Sequence, residues 1–456
     1  MDGTRDLTKG KVSGLLLSFF FPMLSTNLLQ QLYAFADAAI VGKGLGDDAL
    51  GAVGNLSSMW LLIIGFSVGM TNGFSVVIAQ RCGTGDAAAL RRAIALSIKL
   101  SLVLSALLTA AGCLLLEPAL FAMRTAEPIF RDSLLYGGII FRGLAVTIAY
   151  NHSSGILRAF GDSRTPFVAL AISSALNVAL DCATIFWLKM GVEGAALSTV
   201  LSQMVSAFIC CRRIRAIRRA RLCREDFEND AAVCRALLRN GAAMACMNSV
   251  TAVGCMVAQG YVNGIGASCT SAYSACNKYL NLFMLPAVTA GFAISAFAGQ
   301  NYGAGEVGRI REGMRVCCAI ALAAYLALGP AMCLLPRMLA ELLLSGEETI
   351  ALAVEYLRIC GAALVLLNLL FIVRSCVQGM GYPLLPMCSG ALEMALRISA
   401  IALLLPAIGF RATAWAEVAA WTGALALNWI AYVRIMRKNR KDPPPDLRED
   451  ESFVAQ

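Results

Sequence analysis

Long apolar runs alternate with short polar segments along most of the chain. Between the charged positions 11 and 37, 48 and 81, and 239 and 278 there are 25, 32 and 38 consecutive uncharged residues. A helix needs about 20 apolar residues to cross the hydrocarbon core of a bilayer, so each run is long enough to span a membrane. The pattern predicts an all-α polytopic membrane protein.

Twelve transmembrane helices account for the apolar runs. The longest run contains the turn sequence Asn263-Gly264-Ile265-Gly266 and is therefore divided between two helices. The polar start of the chain and the length of the first run favour a true first helix over a cleaved signal peptide. The predicted spans are 12–40, 52–80, 93–116, 133–157, 165–188, 192–212, 236–262, 268–298, 312–336, 352–378, 384–409 and 412–434.

Composition narrows the class of protein further. Of the 456 residues, 58% are hydrophobic and 15% are charged, and the mean hydropathy is +0.69. An average soluble domain has about 25% charged residues, so a disordered, nucleic-acid-binding or small secreted protein is excluded. The 17 Cys residues include no C-x-x-C pair and lie mostly within apolar runs, which indicates neither a disulfide framework nor a zinc site.

The basic residues are distributed unequally between the two predicted sides of the membrane. With the N-terminus inside, 26 of the 38 Lys and Arg residues lie in cytoplasmic segments and 6 in external turns. Because basic residues favour the cytoplasmic side, we expect both termini in the cytoplasm and the chain in the cell membrane. The seven Arg residues of segment 212–224 fit a positive-inside anchor, with contact to anionic lipid as the alternative.

The two halves of the chain resemble each other in one constant register, without a gap between the matching positions. Six helices separate the copies, so both enter the membrane in the same orientation. We expect two parallel six-helix lobes, with residues 1–220 in the N-lobe, 221–436 in the C-lobe and 437–456 in a cytoplasmic tail. This architecture suits alternating access. The matching positions are Gly44-Leu45-Gly46 with Gly264-Ile265-Gly266, Gln80-Arg81-Cys82-Gly83-Thr84-Gly85-Asp86 with Gln300-Asn301-Tyr302-Gly303-Ala304-Gly305-Glu306, Arg91 with Arg311, Gly161 with Gly381, and Pro166 with Pro386.

Charged residues inside the spans need an explanation, because each costs about 2.5–3.5 kcal/mol at the centre of a helix. Two pairs have helical spacing and are interpreted as structural ion pairs on one helix face, Glu393 with Arg397 and Glu355 with Arg358. Lys278 and Arg374 have no acid at helical spacing, so we expect partners on other helices and assign them no role.

Asp37 and Asp181 have no basic residue within four positions on their own helices. Asn177 and Asp181 share one face of the fifth helix, and Thr199 lies about two turns into the sixth. All belong to the outer half of the first lobe at similar depth. Two carboxylates, an amide and a hydroxyl there predict a cation-coupling site, which binds Na⁺ or holds a proton on one carboxyl.

At this point the chain resembles the multidrug and toxic compound extrusion (MATE) family over about residues 12–436. The resemblance implies an exporter of amphiphilic or cationic molecules, driven by inward movement of H⁺ or Na⁺. In one branch an Asp in helix one is combined with Asn-x-x-x-Asp in helix five and a Thr in helix six, which matches the four residues above. The motifs are Pro22 with Asp37, Val41-Gly42-x-Gly44-Leu45-Gly46, Gln80-x-x-Gly83-x-Gly85-Asp86, Arg158-Ala159-x-Gly161-Asp162 and the copy at Gln300.

The resemblance extends to further residues and to partners. Gln30 and Tyr136 resemble substrate contacts of the first lobe, and Pro22 resembles a helix kink. We expect small amphiphilic substrates, membrane lipid, no nucleic acid, no cofactor beyond the coupling ion, a monomer and no enzymatic activity. A flippase for lipid-linked oligosaccharides is the main alternative, and a membrane-embedded scaffold without transport is a second.

Overall fold

The computed structural model describes residues 5–122, 125 and 127–441. Within these residues the chain is helical throughout, with short connections between the helices. The helices are α1 (Val12–Leu45), α2 (Asp47–Asn55), α3 (Ser57–Thr84), α4 (Ala87–Ala122), α5 (Glu127–Arg142), α6 (Leu144–Ala159), α7 (Arg164–Cys182), α8 (Val192–Ala216), α9 (Ala231–Ile265), α10 (Ala267–Phe283), α11 (Leu285–Gly303), α12 (Val307–Leu334), α13 (Pro336–Glu341), α14 (Glu347–Gly379), α15 (Leu384–Ile408) and α16 (Arg411–Lys441).

The predicted spans agree with these helices, and the all-α membrane fold is confirmed. In the described residues, ten helices are long and apolar enough to cross a membrane, and two bent pairs raise the number to twelve. The bent pairs are α5 with α6, at 45°, and α10 with α11, at 42°. The sequence did not predict these breaks, nor that several helices continue beyond their apolar run. Helix α9, for example, ends at Ile265, two residues after the predicted turn begins.

The internal repeat is visible in the backbone. Glycine adopts positive φ without steric cost, so it marks sharp turns at helix ends. Six of the eight described glycines with positive φ form three pairs in the register of the sequence repeat. These pairs are Gly46 with Gly266, Gly85 with Gly305, and Gly161 with Gly381. The two halves therefore repeat their turns as well as their sequence.

The described chain divides into two compact units. The first unit consists mainly of Phe21–Gly241, and the second contains Leu7–Phe20 together with residues 242–441. The predicted lobe boundary at residue 220 lies earlier, because Arg91 of α4 pairs with Asp226 at 3.2 Å and keeps the connection before α9 with the first unit. Helix α1 begins in the second unit and continues as one helix through Pro22.

Within the second unit, hydrogen bonds join the segment before α1 to α11 and α12. The backbone N–H of Leu7 donates to Gln300 Oε1 at 2.9 Å, and Asn301 Nδ2 donates to the Leu7 carbonyl at 3.1 Å. Arg309 donates to the carbonyl of Gly10 at 3.0 Å.

The predicted cytoplasmic tail, residues 437–456, begins inside a helix. Residues 437–441 continue α16, and residues 442–456 lie outside the described residues.

A buried ion network crosses three helices of the second unit. Arg374 of α14 contacts Glu393 of α15 at 2.6 Å, and Arg397 contacts Glu393 at 3.1 Å. Arg397 also contacts Glu417 of α16 at 2.9 Å. Glu393 and Arg397 do pair, but as the centre of a neutral group of four, so the prediction that they satisfy each other alone is wrong. The partner expected for Arg374 on another helix is Glu393.

The second predicted pair on one helix is wrong. Glu355 binds Arg411, the first residue of α16, through a hydrogen bond of 2.8 Å from Nε. The spacing of Glu355 and Arg358 permits contact, but the chain brings Arg411 closer from another helix. Lys278 is exposed on α10, and no ion-pair partner is found for it among the described residues.

Candidate cation-coupling site

Asp37 and Asp181 meet in the interior of the first unit. Asp37 lies in the last third of α1, and Asp181 is the penultimate residue of α7. The two carboxyl groups lie close enough to interact directly, and Asp181 is fully buried. One carboxylate oxygen of each, Oδ1, is buried without a hydrogen-bond partner. Two carboxylates this close repel each other unless a proton or another cation neutralises them.

Asn177 supports Asp181 from one turn earlier on α7. With its amide nitrogen turned towards Asp181, Asn177 donates to Oδ2 at 2.8 Å. Its amide oxygen accepts from the backbone N–H of Thr199 at 3.2 Å. The fully buried Asn177 therefore connects α7 to α8 and fixes the orientation of the Asp181 carboxyl.

Thr199 and Tyr33 complete the polar side of the site. Thr199 donates its hydroxyl to the carbonyl of Ala195, one turn earlier on α8, at 3.0 Å. Tyr33 lies one turn before Asp37 on α1, and its hydroxyl lies close enough to Thr199 to interact with it. A contact between α1 and α8 thus accompanies the contact between α1 and α7.

An apolar cluster holds these helices in register. It contains Val41, Ile185 and Ala195, all of which are buried. Each lies four residues from a site residue, namely Asp37, Asp181 and Thr199, and each lies on the side that is external in the predicted topology. Burying apolar side chains one turn away on all three helices fixes the depth of the polar groups relative to one another.

The end of α7 has an unusual backbone. After Cys182 the α-helix changes into a π-helical turn, Ala183–Trp187. Such turns are rare in proteins and occur often at functional sites. Here the turn directs Ile185 against Gly44 of α1, where a Cβ atom on Gly44 would lie 2.6 Å from Ile185 Cγ2. The absence of a side chain on Gly44 therefore permits close packing of α1 on the π-helical turn.

A cavity of about 440 Å³ opens beside Asp37. Gln30, Tyr136, Asp37 and Thr199 all line it, so the structure brings together four of the predicted site residues. Asn177 and Asp181 lie behind this lining. Asp37 is the only charged residue in the lining that the structure describes, and five aromatic residues surround it: Tyr33, Trp60, Tyr136, Phe141 and Tyr150.

Several lining residues were missed by the sequence analysis. Ser202 and Ser206 lie one turn apart on α8, and Gln203 lies between them. The sequence does contain a signal for the serines. Ser198, Ser202 and Ser206 are spaced four residues apart, and this spacing predicts a polar stripe on one face of α8. Tyr33 was also missed, although it lies four residues before Asp37 on the same helix face.

The oxygen atoms available at this site are of the type that binds a small hard cation. The unpartnered Oδ1 atoms of Asp37 and Asp181 are carboxylate oxygens, and the Thr199 hydroxyl oxygen retains acceptor capacity. Asn177 is less suited as a ligand, because its oxygen faces a backbone N–H. Among the described residues, no three His, Cys, Asp or Glu side chains form a group that could hold a metal ion.

Duplicated sets of apolar spans, with an acid-bearing cavity inside one of them, define a polytopic membrane transporter. The MatE family profile matches residues 22–182 and 242–403, two stretches that begin at equivalent positions of the internal repeat. The chain therefore belongs to the MATE family. This membership places it among transporters rather than enzymes.

Individual relatives support the family assignment. The probable multidrug resistance protein YpnP of Bacillus subtilis is 31% identical over 67% of this chain and 68% of its own length. The probable multidrug resistance protein YoeA of the same organism is 28% identical over 65% of this chain and 66% of its own length. A crystal structure of MATE in the bent conformation superposes with a TM-score of 0.90, at 21% identity, over 95% of this chain and 98% of that one.

Proposed function

We propose that the chain is a secondary antiporter that exports cationic amphiphiles in exchange for H⁺ or Na⁺. The contact between the carboxyl groups of Asp37 and Asp181, next to an aromatic cavity, carries the proposal. The substrate class follows from the lining, because one carboxylate, five aromatic rings and no basic side chain among the described lining residues favour a cation. The relatives named as multidrug resistance proteins are consistent with such cargo.

Exchange arises because the ion and the substrate share one pair of negative charges. A proton or Na⁺ held between Asp37 and Asp181 neutralises the carboxyl that faces the cavity and so weakens attraction for a cationic substrate. By linkage, a bound cationic substrate weakens ion binding by the same factor. Asn177 acts in this scheme as a positioning residue for Asp181. Alternating access would then expose the same site to either side of the membrane in turn.

We further propose that the protein acts as a monomer in the cell membrane with both termini in the cytoplasm. The excess of basic residues in the predicted cytoplasmic segments supports this orientation. A lipid-linked oligosaccharide is disfavoured as cargo for the first-unit cavity. Its diphosphate would meet the Asp37 carboxyl and none of the basic side chains that an anion requires.

The test is dye export from proteoliposomes under separately imposed proton and sodium gradients. We expect Asp37→Asn and Asp181→Asn each to lower gradient-driven export at least tenfold. Glu117→Gln is the matched control, because it removes an exposed carboxyl from α4 that does not line the cavity. The gradient that drives wild-type export identifies the ion. If Asp37→Asn exports dye at the wild-type rate, the carboxyl pair is not part of the coupling mechanism.

A further inference from the structure

A second cavity of the first unit lies away from the carboxyl pair. It is a groove of about 740 Å³, bordered by α4, α6, the end of α8 and the segment that follows α8. Its walls are mainly apolar and include Leu102, Ile148, Ile156 and Phe227. Arg215 and Arg221 line it as well, and both side chains are exposed. The groove thus combines an apolar interior with two basic side chains.

These two arginines differ from their neighbours in charge compensation. Arg91, Arg92 and Arg213 pair with Asp226, Asp230 and Asp162 at 3.2, 3.4 and 3.2 Å, respectively. Within the part of the chain that the structure describes, Arg215 and Arg221 have no acidic partner. Asp162, Asp226 and Asp230 are engaged by other arginines, and the described lining of the groove contains no Asp or Glu, so the lining has a net positive charge.

The dimensions of the groove match one membrane leaflet. The groove residues of α6 extend from Ala145 to Ile156, which is about 16 Å along a helix axis. One leaflet contributes about 15 Å of hydrocarbon, half of the bilayer core. Arg215 and Arg221 belong to the segment predicted to be cytoplasmic, where anionic lipids attract basic side chains. The apolar walls of the groove therefore fit an acyl chain, and the two arginines at its cytoplasmic end fit the headgroup phosphate.

The second unit has a groove between two of the corresponding helices, those that repeat α4 and α8. Helices α12 and α16 are the repeats of α4 and α8, and they border a cavity of about 420 Å³. Ile98 of the first groove corresponds to Cys318 of the second in the register of the repeat. Arg311, Arg315 and Arg437 line the second groove, together with apolar residues such as Trp429 and Met436. No acidic partner for these three arginines is found in the described residues.

We propose that each repeat binds one anionic phospholipid of the cytoplasmic leaflet between its third and sixth helices. An acyl chain occupies the apolar groove, and the headgroup phosphate binds Arg215 and Arg221 in the first unit and Arg311 and Arg315 in the second. Arginine suits this role because its planar guanidinium donates two parallel hydrogen bonds to a phosphate. The sites are separate from the carboxyl pair and do not depend on the identity of the transported substrate.

Native mass spectrometry with phosphatidylglycerol and phosphatidylcholine tests the proposal. The wild-type protein is expected to retain two phosphatidylglycerol molecules and to retain phosphatidylcholine at least fivefold less. The double variants Arg215→Gln/Arg221→Gln and Arg311→Gln/Arg315→Gln should each retain one. The control Arg218→Gln/Arg219→Gln removes the same charge from exposed residues outside the groove and should retain two.

A second variant tests the apolar part of the first groove with all arginines present. Ala149→Trp places a large ring in the groove and should also reduce the retained phosphatidylglycerol to one molecule. Glycerol phosphate, which has the headgroup without acyl chains, should not displace the lipid. Equal loss of phosphatidylglycerol from the control Arg218→Gln/Arg219→Gln would show general electrostatic attraction and overturn the proposal. Two retained lipids in Arg215→Gln/Arg221→Gln, or displacement by glycerol phosphate, would equally overturn it.

Discussion

Gly44 of α1 contacts Ile185 of the π-helical turn so closely that a Cβ atom on Gly44 would lie 2.6 Å from Ile185 Cγ2. Gly44 is two turns after Asp37, and Ile185 is one turn after Asp181. We expect Gly44→Ala to push α1 away from the turn and separate the two carboxyl groups, lowering dye export at least fivefold while the protein still inserts. Export rates from proteoliposomes, normalised to the amount of protein, measure this effect.

Gly14→Ala is the control for this prediction. Gly14 lies on the same helix, and a Cβ atom added to it would have nothing within 4 Å. Alanine there favours the helix by up to about 1 kcal/mol and should leave export unchanged. If Gly44→Ala exports as fast as Gly14→Ala, the close packing of α1 on the π-helical turn does not position the carboxyl pair.

Asn177 offers a test of positioning as distinct from ligation. Asn177→Ala removes the donor to Asp181 and the acceptor for the Thr199 backbone, so the Asp181 carboxyl loses its fixed orientation. We expect a several-fold rise in the concentration of the driving ion needed for half-maximal export, with the maximal rate within about twofold of wild type. Asn428→Ala removes an equally buried amide from α16 and should change neither quantity. Complete loss of the maximal rate in Asn177→Ala would indicate a direct ligand.

The structure brings two of the predicted residues, Asp37 and Asp181, together and contradicts the predicted ion pairs, and the reason is physical. Asp37 and Asp181 were conspicuous because no basic residue at helical spacing could neutralise them. The same local rule failed for Glu355, because spacing along one helix says nothing about Arg411, which arrives from another helix much later in the chain. The breaks within the bent pairs were also missed, since a uniformly apolar run does not show where its axis changes direction.

The buried network of Arg374, Glu393, Arg397 and Glu417 predicts an order of stability among variants. Removing one member leaves a buried charge without compensation, which costs about 3–5 kcal/mol. The double variant Glu393→Gln/Arg397→Gln leaves both Arg374 and Glu417 without their partners, so it should be at least as unstable as Glu393→Gln, which leaves only Arg374 unpaired. Changing all four residues to Gln leaves no lone charge and should recover most of the stability. Thermal unfolding of the detergent-solubilised proteins measures this order.

The same variants also test which of the two units contains the cation-coupling site. Cation response, measured as proton release or sodium-dependent protection, should be lost in Asp181→Asn and kept in the variant in which all four residues are changed. Both groups lie inside the membrane spans, but the network is electrically neutral and the carboxyl pair is not. The opposite result would place coupling in the second unit.

The orientation of the chain can be tested at three exposed positions. Lys189 and Arg337 lie in segments predicted to be external, and Arg218 lies in the arginine-rich segment predicted to be cytoplasmic. In a variant without the 17 native cysteines, a membrane-impermeant thiol reagent applied to intact cells should label cysteine at 189 and 337 but not at 218. All three are surface positions, and the ion pairs of Arg337 with Glu341 and Glu347 are exposed and therefore weak, so the substitutions should not prevent folding. Permeabilised cells provide the control, since position 218 must then react. Labelling of 218 in intact cells would invert the topology and move both arginine-lined grooves to the outer leaflet.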